Sequence, residues 1–228
     1  MPLTQHPTPH TSSSQPPSTQ RRHLARKQKY PNSCGAAVLL CAAMELGVRK
    51  MPLFSGSLSS QKGVDTLELN SRCESDLYMI TSNSLEKKPG SSSLRKAGYS
   101  MPDNMVLAGR LLGLSIRVEK DQSLLAMALQ ALYSRIEVEL TAMGCPVVPP
   151  LHALRFNELR LEALATSVAG IPIRLHWVLH RPDGSYMNPG TGENYLDFSA
   201  LEKGVKRAAN RAVGYYRSGI SIVVSFDA

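Results

Sequence analysis

Every position from Ala36 to Met44 is apolar, in the run Ala-Ala-Val-Leu-Leu-Cys-Ala-Ala-Met. A helix that is apolar on all sides has no solvent face, so the rest of the chain must wrap it. Asn32 or Ser33 stands where a short side-chain oxygen caps a helix start, and Gly47 stands where a helix stops. Cys34 then falls at the helix N-terminus, where the positive end of the macrodipole favours thiolate. Gln28 precedes that cysteine by six residues.

At 228 residues the chain is long enough to enclose such a helix in one well-buried domain. No apolar run approaches the roughly 20 residues that cross a bilayer. No charged-then-apolar leader opens the chain, so Sec-type export is not expected. Four cysteines do not make a disulfide scaffold, and a reducing compartment is the simpler reading.

Residues 1–27 are a different material. Met1 to Gln20 is Pro, Ser, Thr, Gln and His with almost nothing apolar, which predicts a disordered tail. Arg21, Arg22, Arg26, Lys27 and Lys29 follow, and no acidic residue precedes Glu45. This stretch supplies five of the eight net positive charges, so the formal +8 is mainly a tail property. No interleaved aromatics are present to stack bases, and specific nucleic-acid binding is not expected. A basic tether to nucleic acid or an acidic membrane is the weaker use of the tail. The prolines argue against an amphipathic mitochondrial presequence.

Residues 28–228 read as one domain. Phe54 to Gly63 is expected as a loop, Thr66 to Ser82 as a helix and Asn83 to Ser93 as a polar loop. Met101-Pro102 opens a helix that runs to Gly113, because proline suits a first turn. Leu114 to Glu119 alternates as a short strand. Leu124 to Met143 is helical by periodicity, Cys145 to Pro150 breaks it, and Leu154 to Ala169 is read as a further amphipathic helix. Strands follow at Ile171–Leu179, Ser185–Asn188 and Gly219–Phe226, with a helix over Phe198 to Val213. Helices first and sheet last is an α+β order.

Pro182-Asp183-Gly184 marks a turn, so its flanks pair as a hairpin. A four-residue loop at 181–184 sets His180 opposite Ser185 and Trp177 opposite Asn188, bringing Asn188 beside His176. A cysteine nucleophile needs such partners. A histidine takes the thiol proton and returns it to the leaving group, and a third polar group orients the ring.

Gln28-x5-Cys34-Gly35 at a helix start resembles the papain-like cysteine peptidases. The run Cys34-Gly-Ala-Ala is most similar to their bacterial double-glycine (bacteriocin-processing) branch, and the acid-free tail is similar to those of type III effectors. The resemblance is close over Gln28 to Gly47 and around His176 to Gly192, and loose between. It implies a papain-like fold, with a helical lobe around the buried cysteine helix and a C-terminal antiparallel sheet lobe. It implies Cys34 as nucleophile, His176 as base, Asn188 as orienter, and Gln28 with the Cys34 N–H as oxyanion hole, with no cofactor and no metal. The bacterial branch more often has Asp where this chain has Asn188, so the ring is oriented without an added charge.

Each of these residues also has an ordinary structural use. Cys34 could be core, His176 a packed strand residue, Gln28 a surface amide and Asn188 a strand end before proline. Asp183 is a rival orienter, but it sits at the hairpin tip, seven residues from His176, and is taken as turn chemistry. His180 is read as rim, Cys41 as core, and His152 is given no role. The leading expectation is a cysteine protease acting on a protein or peptide substrate. Glutamine deamidation or acyl transfer would use the same thioester chemistry, and an inactive peptide-binding module is the alternative of another class. Delivery into a host cell without a cleaved signal is expected, with the bacterial cytoplasm as the alternative.

Overall fold

The computed structural model describes residues 22–88, 92–121, 136–150, 153–168, 171–209 and 213–226. The N-terminal half holds α1 (Cys34–Glu45), α2 (Leu58–Lys62), α3 (Ser71–Thr81), α4 (Ser92–Arg95) and α5 (Pro102–Leu111). Then come β1 (Ser115–Lys120), α6 (Ile136–Ala142), β2 (Val147–Val148), β3 (Glu158–Val168), β4 (Ile171–His180), β5 (Tyr186–Asn188) and β6 (Glu193–Tyr195). The helix α7 (Phe198–Ala209) and β7 (Val213–Ser225) close the chain. One seven-stranded sheet runs in the order β2-β1-β7-β3-β4-β5-β6, with β1 and β2 parallel and the other neighbours antiparallel. The fold is α+β, as expected.

The α1 helix is the hub. Every residue from Cys34 to Ala43 is buried, and the helix packs on α3, α5 and β4. Its end follows from backbone freedom: Gly47 takes φ +97°, which a side chain resists, and its N–H reaches back to Met44 O. The start differs from expectation. Neither Asn32 nor Ser33 caps it, since Asn32 donates to Ala97 O and the Ser33 hydroxyl is engaged with Tyr30 and Glu74. The first-turn N–H groups around Cys34 therefore have no side-chain partner from the cap.

Two apolar clusters lie on the two sides of the sheet. The larger joins α1, α3 and α5 to Leu159, Leu161, Trp177, Leu179, Ile222 and Val224. The smaller holds Leu164, Val178, Tyr186 and Tyr215 beneath Leu201 and Val205 of α7.

Several expected elements are corrected. Leu154 to Ala169 is not a helix, because β3 occupies Glu158–Val168 between β4 and β7. Leu159 and Leu161 face one cluster and Leu164 the other, so both faces of the strand are covered. A doubly buried strand loses its alternation, and its Leu, Ala, Glu and Arg content then reads as helical. The Phe54–Gly63 loop contains α2, capped by Ser57 and tied through Leu58 and Ser59 N–H groups to the Asp76 carboxylate. The third helix begins at Ser71 rather than Thr66, because Asn70 Oδ1 accepts from Arg72 and Cys73 N–H and sets its first turn. Strand β7 begins at Val213, six residues before the expected Gly219. The early part of the expected Leu124–Met143 helix lies outside the described residues, and Ile136–Ala142 is helical.

Residues 22–27, expected as tail, lie against the domain. The Leu24 N–H donates to Glu45 and its carbonyl accepts from Arg181. Arg26 Nε donates to the buried Glu74 carboxylate at 2.7 Å. Residues 1–21 lie outside the described residues.

Candidate active site

Cys34 reaches its position through the segment in front of α1. Glu74 of α3, fully buried, accepts from Arg26 Nε, from the Lys29 N–H and from the Ser33 hydroxyl. Tyr30 stacks on Tyr78 with ring centroids 5.4 Å apart. A carboxylate with three donors is satisfied inside the core and holds Arg26 to Ser33 in one conformation. Gly35 is required by close approach, since a Cβ there would lie 2.4 Å from Ser100 Cβ. Ser100 in turn accepts from Trp177 Nε1 at 2.8 Å, which locks α1, the 100 loop and β4 together.

His176 lies on β4. Its Nε2 is 2.8 Å from Asn188 Oδ1, and the same oxygen accepts the Gly190 N–H at 2.9 Å. A backbone N–H can only donate, so Oδ1 is the atom turned to both partners and Nε2 carries the ring proton. Nδ1 is left as the acceptor. Asn188 Nδ2 donates to the Tyr215 hydroxyl, and the Tyr215 ring lies parallel to His176 with centroids 5.4 Å apart. Tyr215 is a site residue that the sequence did not reveal. It sits in Gly214-Tyr-Tyr-Arg, between an expected helix end and an expected strand start.

The expected partnership of His176 and Asn188 is present, but the expected register is off by one. Leu179 faces Met187 and His180 faces Tyr186, because the turn closes with Arg181 N–H on Ser185 O. A register with Trp177 opposite Asn188 would turn Asn188 to the Trp177 face, away from His176. Asp183 does turn chemistry, accepting the Ser185 N–H at 3.0 Å. His180 stacks on Tyr186 at 4.4 Å, apart from the His176 pair.

The thiol of Cys34 is buried, and burial pushes its pKa up to about 11. The N–H groups of Trp177, Gly35 and Cys34 oppose that rise. The expected lowering by the helix terminus is thus outweighed in the thiol taken alone. Burial also lowers the His176 pKa, against the raising effect of its Asn188 bond. Trp177 directly follows His176 on β4, and β4 packs against α1, which begins at Cys34. No direct hydrogen bond joins the thiol to the imidazole among the described residues.

Gln28 is brought to the same place but is occupied. Its Nε2 donates at 2.8 Å to both Tyr30 O and Pro31 O, and its backbone N–H donates to Pro189 O. Among the described residues no group of three or more His, Cys, Asp or Glu could hold a metal ion. No described helix is long and apolar enough to cross a membrane.

A family profile described as invasion plasmid antigen J, cysteine protease, matches residues 26–227. A curated relative, cysteine protease IpaJ of Shigella flexneri, is 47% identical over 205 residues, spanning 90% of this chain and 79% of that one. The chain belongs to the IpaJ cysteine protease family. Within that family's matched span lie Cys34, His176, Asn188, Gln28 and Tyr215. The matched span starts at Arg26, the residue that anchors the pre-α1 segment on Glu74.

Proposed function

We propose that this chain is a papain-like thiol protease in which Cys34 attacks the peptide carbonyl. The observation that carries the reading is the 2.8 Å His176–Asn188 bond, on the strand packed against the helix that begins at Cys34. His176 Nδ1 takes the thiol proton as Sγ bonds to the carbonyl carbon. The ring then protonates the leaving amine as the C–N bond breaks, and water attacks the thioester with the same ring as base. Thiolate and imidazolium form together, so each offsets the other's cost of burial and the two titrate as a pair.

The oxyanion would take the Cys34 N–H, left without a side-chain cap, as one donor. Gln28 is the second, once its solvent-exposed bond to Pro31 O is released. Tyr215 is a positioning residue that keeps Asn188 and the ring in place. The family's protease description favours hydrolysis over the deamidase and acyltransferase alternatives. All four expected positions carry competent side chains, against an inactive binding module.

The same reading makes the chain an effector delivered into a host cell. It is supported by the acid-free Ser/Thr/Pro-rich N-terminus and by the family's description as an invasion antigen. The test is cleavage of an unfolded protein substrate by the purified chain and by Cys34→Ala, His176→Ala and Asn188→Ala. Activity abolished in the first two and reduced in the third supports the triad. Undiminished cleavage by Cys34→Ala would falsify it.

A further inference from the structure

A cavity of about 900 Å³ opens beside Asn188 and Tyr215, between the segment leading into α1, the β5–β6 region and α7. Its size is that of a ligand pocket. Four charged side chains line it: Lys27, Lys203 and Arg207 against Glu193. The carboxylate is already engaged, accepting from the Tyr195 hydroxyl at 2.9 Å. None of the three cations forms an ion pair with a described residue. Lys203 and Arg207 stand four residues apart on α7, so they share a face and repel each other. Lys27 faces the same space from across the cavity.

The walls are built by close packing. Gly204 lets α7 approach Tyr195, where a Cβ would sit 2.3 Å from ring Cε1. Gly192, at φ +80°, lies so close to Lys27 that a Cβ would be 2.8 Å from its backbone N. Lys27 is also held by its neighbour Gln28, bonded to Pro189 O. The cavity is a formed recess with a net positive lining, three cations against one carboxylate, and it is lined by Asn188 of the proposed catalytic group and by Tyr215, which positions it.

We propose that this recess is a substrate subsite that takes acidic side chains, Asp or Glu, of the polypeptide lying across the active site. The proposal rests on the reading of Cys34, His176 and Asn188 as the catalytic group. A carboxylate entering here meets three solvent-exposed cations gathered round one recess, whose summed field attracts it most strongly at low ionic strength. The chain's own N-terminal segment has the wrong sign to fill it, since no Asp or Glu precedes Glu45.

The test uses Cys34→Ala protein and two fluorescein-labelled peptides of one sequence, with Glu in the first replaced by Gln in the second. Anisotropy titration is expected to show at least about tenfold tighter binding of the Glu peptide at low salt, narrowing as ionic strength rises. The Lys203→Glu/Arg207→Glu variant, checked for an unchanged melt, is expected to lose or invert that preference. Equal binding of both peptides overturns the proposal. So does a preference that survives the charge reversal. Equal peptide binding with charge-dependent binding of phosphatidylserine vesicles reassigns the face to a lipid surface. Alkylation of wild-type Cys34 against pH reports on the catalytic reading separately: a reactive thiol with no Glu preference defeats only the subsite. An inert thiol defeats the catalytic group whatever the peptides do.

Discussion

The Gln28 N–H donates to Pro189 O at 2.8 Å, and this bond ties the irregular segment entering α1 to the loop after Asn188. The two halves of the proposed site are thereby in register before substrate arrives. The side chain of the same residue clamps the Tyr30–Pro31 turn. Gln28→Ala keeps the backbone bond and loses both the clamp and the second oxyanion donor. We expect kcat to fall by about 10–100-fold with KM little changed, below the full effect of a preorganised donor because one bond must first be released. Steady-state kinetics decide it, and an unchanged kcat removes Gln28 from the oxyanion hole.

Cys34 alone is a poor nucleophile at neutral pH. With a pKa near 11, about one thiol in ten thousand is ionised at pH 7. In the proposed mechanism the pairing with His176 supplies the rest. His176→Ala is therefore expected to slow iodoacetamide labelling of Cys34 at pH 7 by at least about 100-fold, with the rate climbing steadily into strong alkali. Mass spectrometry of each cysteine against pH reads this directly. Cys41, pushed up to about 12 by burial, serves as the inert internal control. Equal labelling of Cys34 in both proteins disproves the pair.

Tyr215 both stacks on the His176 ring and accepts from Asn188 Nδ2. Two substitutions separate these contributions. Tyr215→Phe keeps the stack and drops one buried hydrogen bond, which predicts a loss of about fivefold in kcat/KM. Tyr215→Leu drops both and opens the ring to water. Burial is what lowers the His176 pKa, so this variant is expected to move the acidic limb of the pH–rate profile to higher pH. A lower rate with an unmoved limb would mean that Tyr215 serves only packing.

The buried helix α1 was legible because apolarity on every side admits one reading, burial. The His176–Asn188 pair was legible from a turn signal and two polar residues flanking it. Its register was not, because the turn closes through Arg181 and Ser185 rather than through the expected His180 and Ser185, a choice made by tertiary contacts. Arg181 is pulled inward by Glu45, 136 positions away. Strand β3 was hidden by being covered on both faces, and Tyr215 by lying in a strand with no short-range marker. The Lys27–Lys203–Arg207 recess unites residues far apart in the chain, where composition shows only scattered charge.

That Arg181–Glu45 pair is itself a test of what holds the two halves together. Arg181 donates Nε and Nη2 to Glu45 at 2.9 and 2.7 Å, and both side chains are almost wholly buried. Removing one partner strands the other without a counter-charge. Arg181→Met is expected to cost about 3–5 kcal/mol, whereas Arg181→Met with Glu45→Leu recovers most of it. Urea unfolding of both variants measures this, and equal losses contradict the stranded-charge account.

His180 predicts how the fold responds to acid. Burial, then the nearby Arg160 and Arg217, push its pKa down to about 4, with Asp183 acting weakly in the other direction. The unfolded chain keeps an ordinary histidine, so it takes up the proton first as pH falls. Stability from this group is full above about pH 6.5 and drains away toward pH 4, by at most about 3 kcal/mol. His176, also lowered, adds to the loss in the same sense. Glu162, raised by burial, works against it at the acidic end. His180→Phe keeps a ring on Tyr186 and removes the titration, so the urea midpoint should fall less between pH 7 and pH 4.5 than in the wild type. A parallel fall in both proteins would show that the acid sensitivity lies elsewhere.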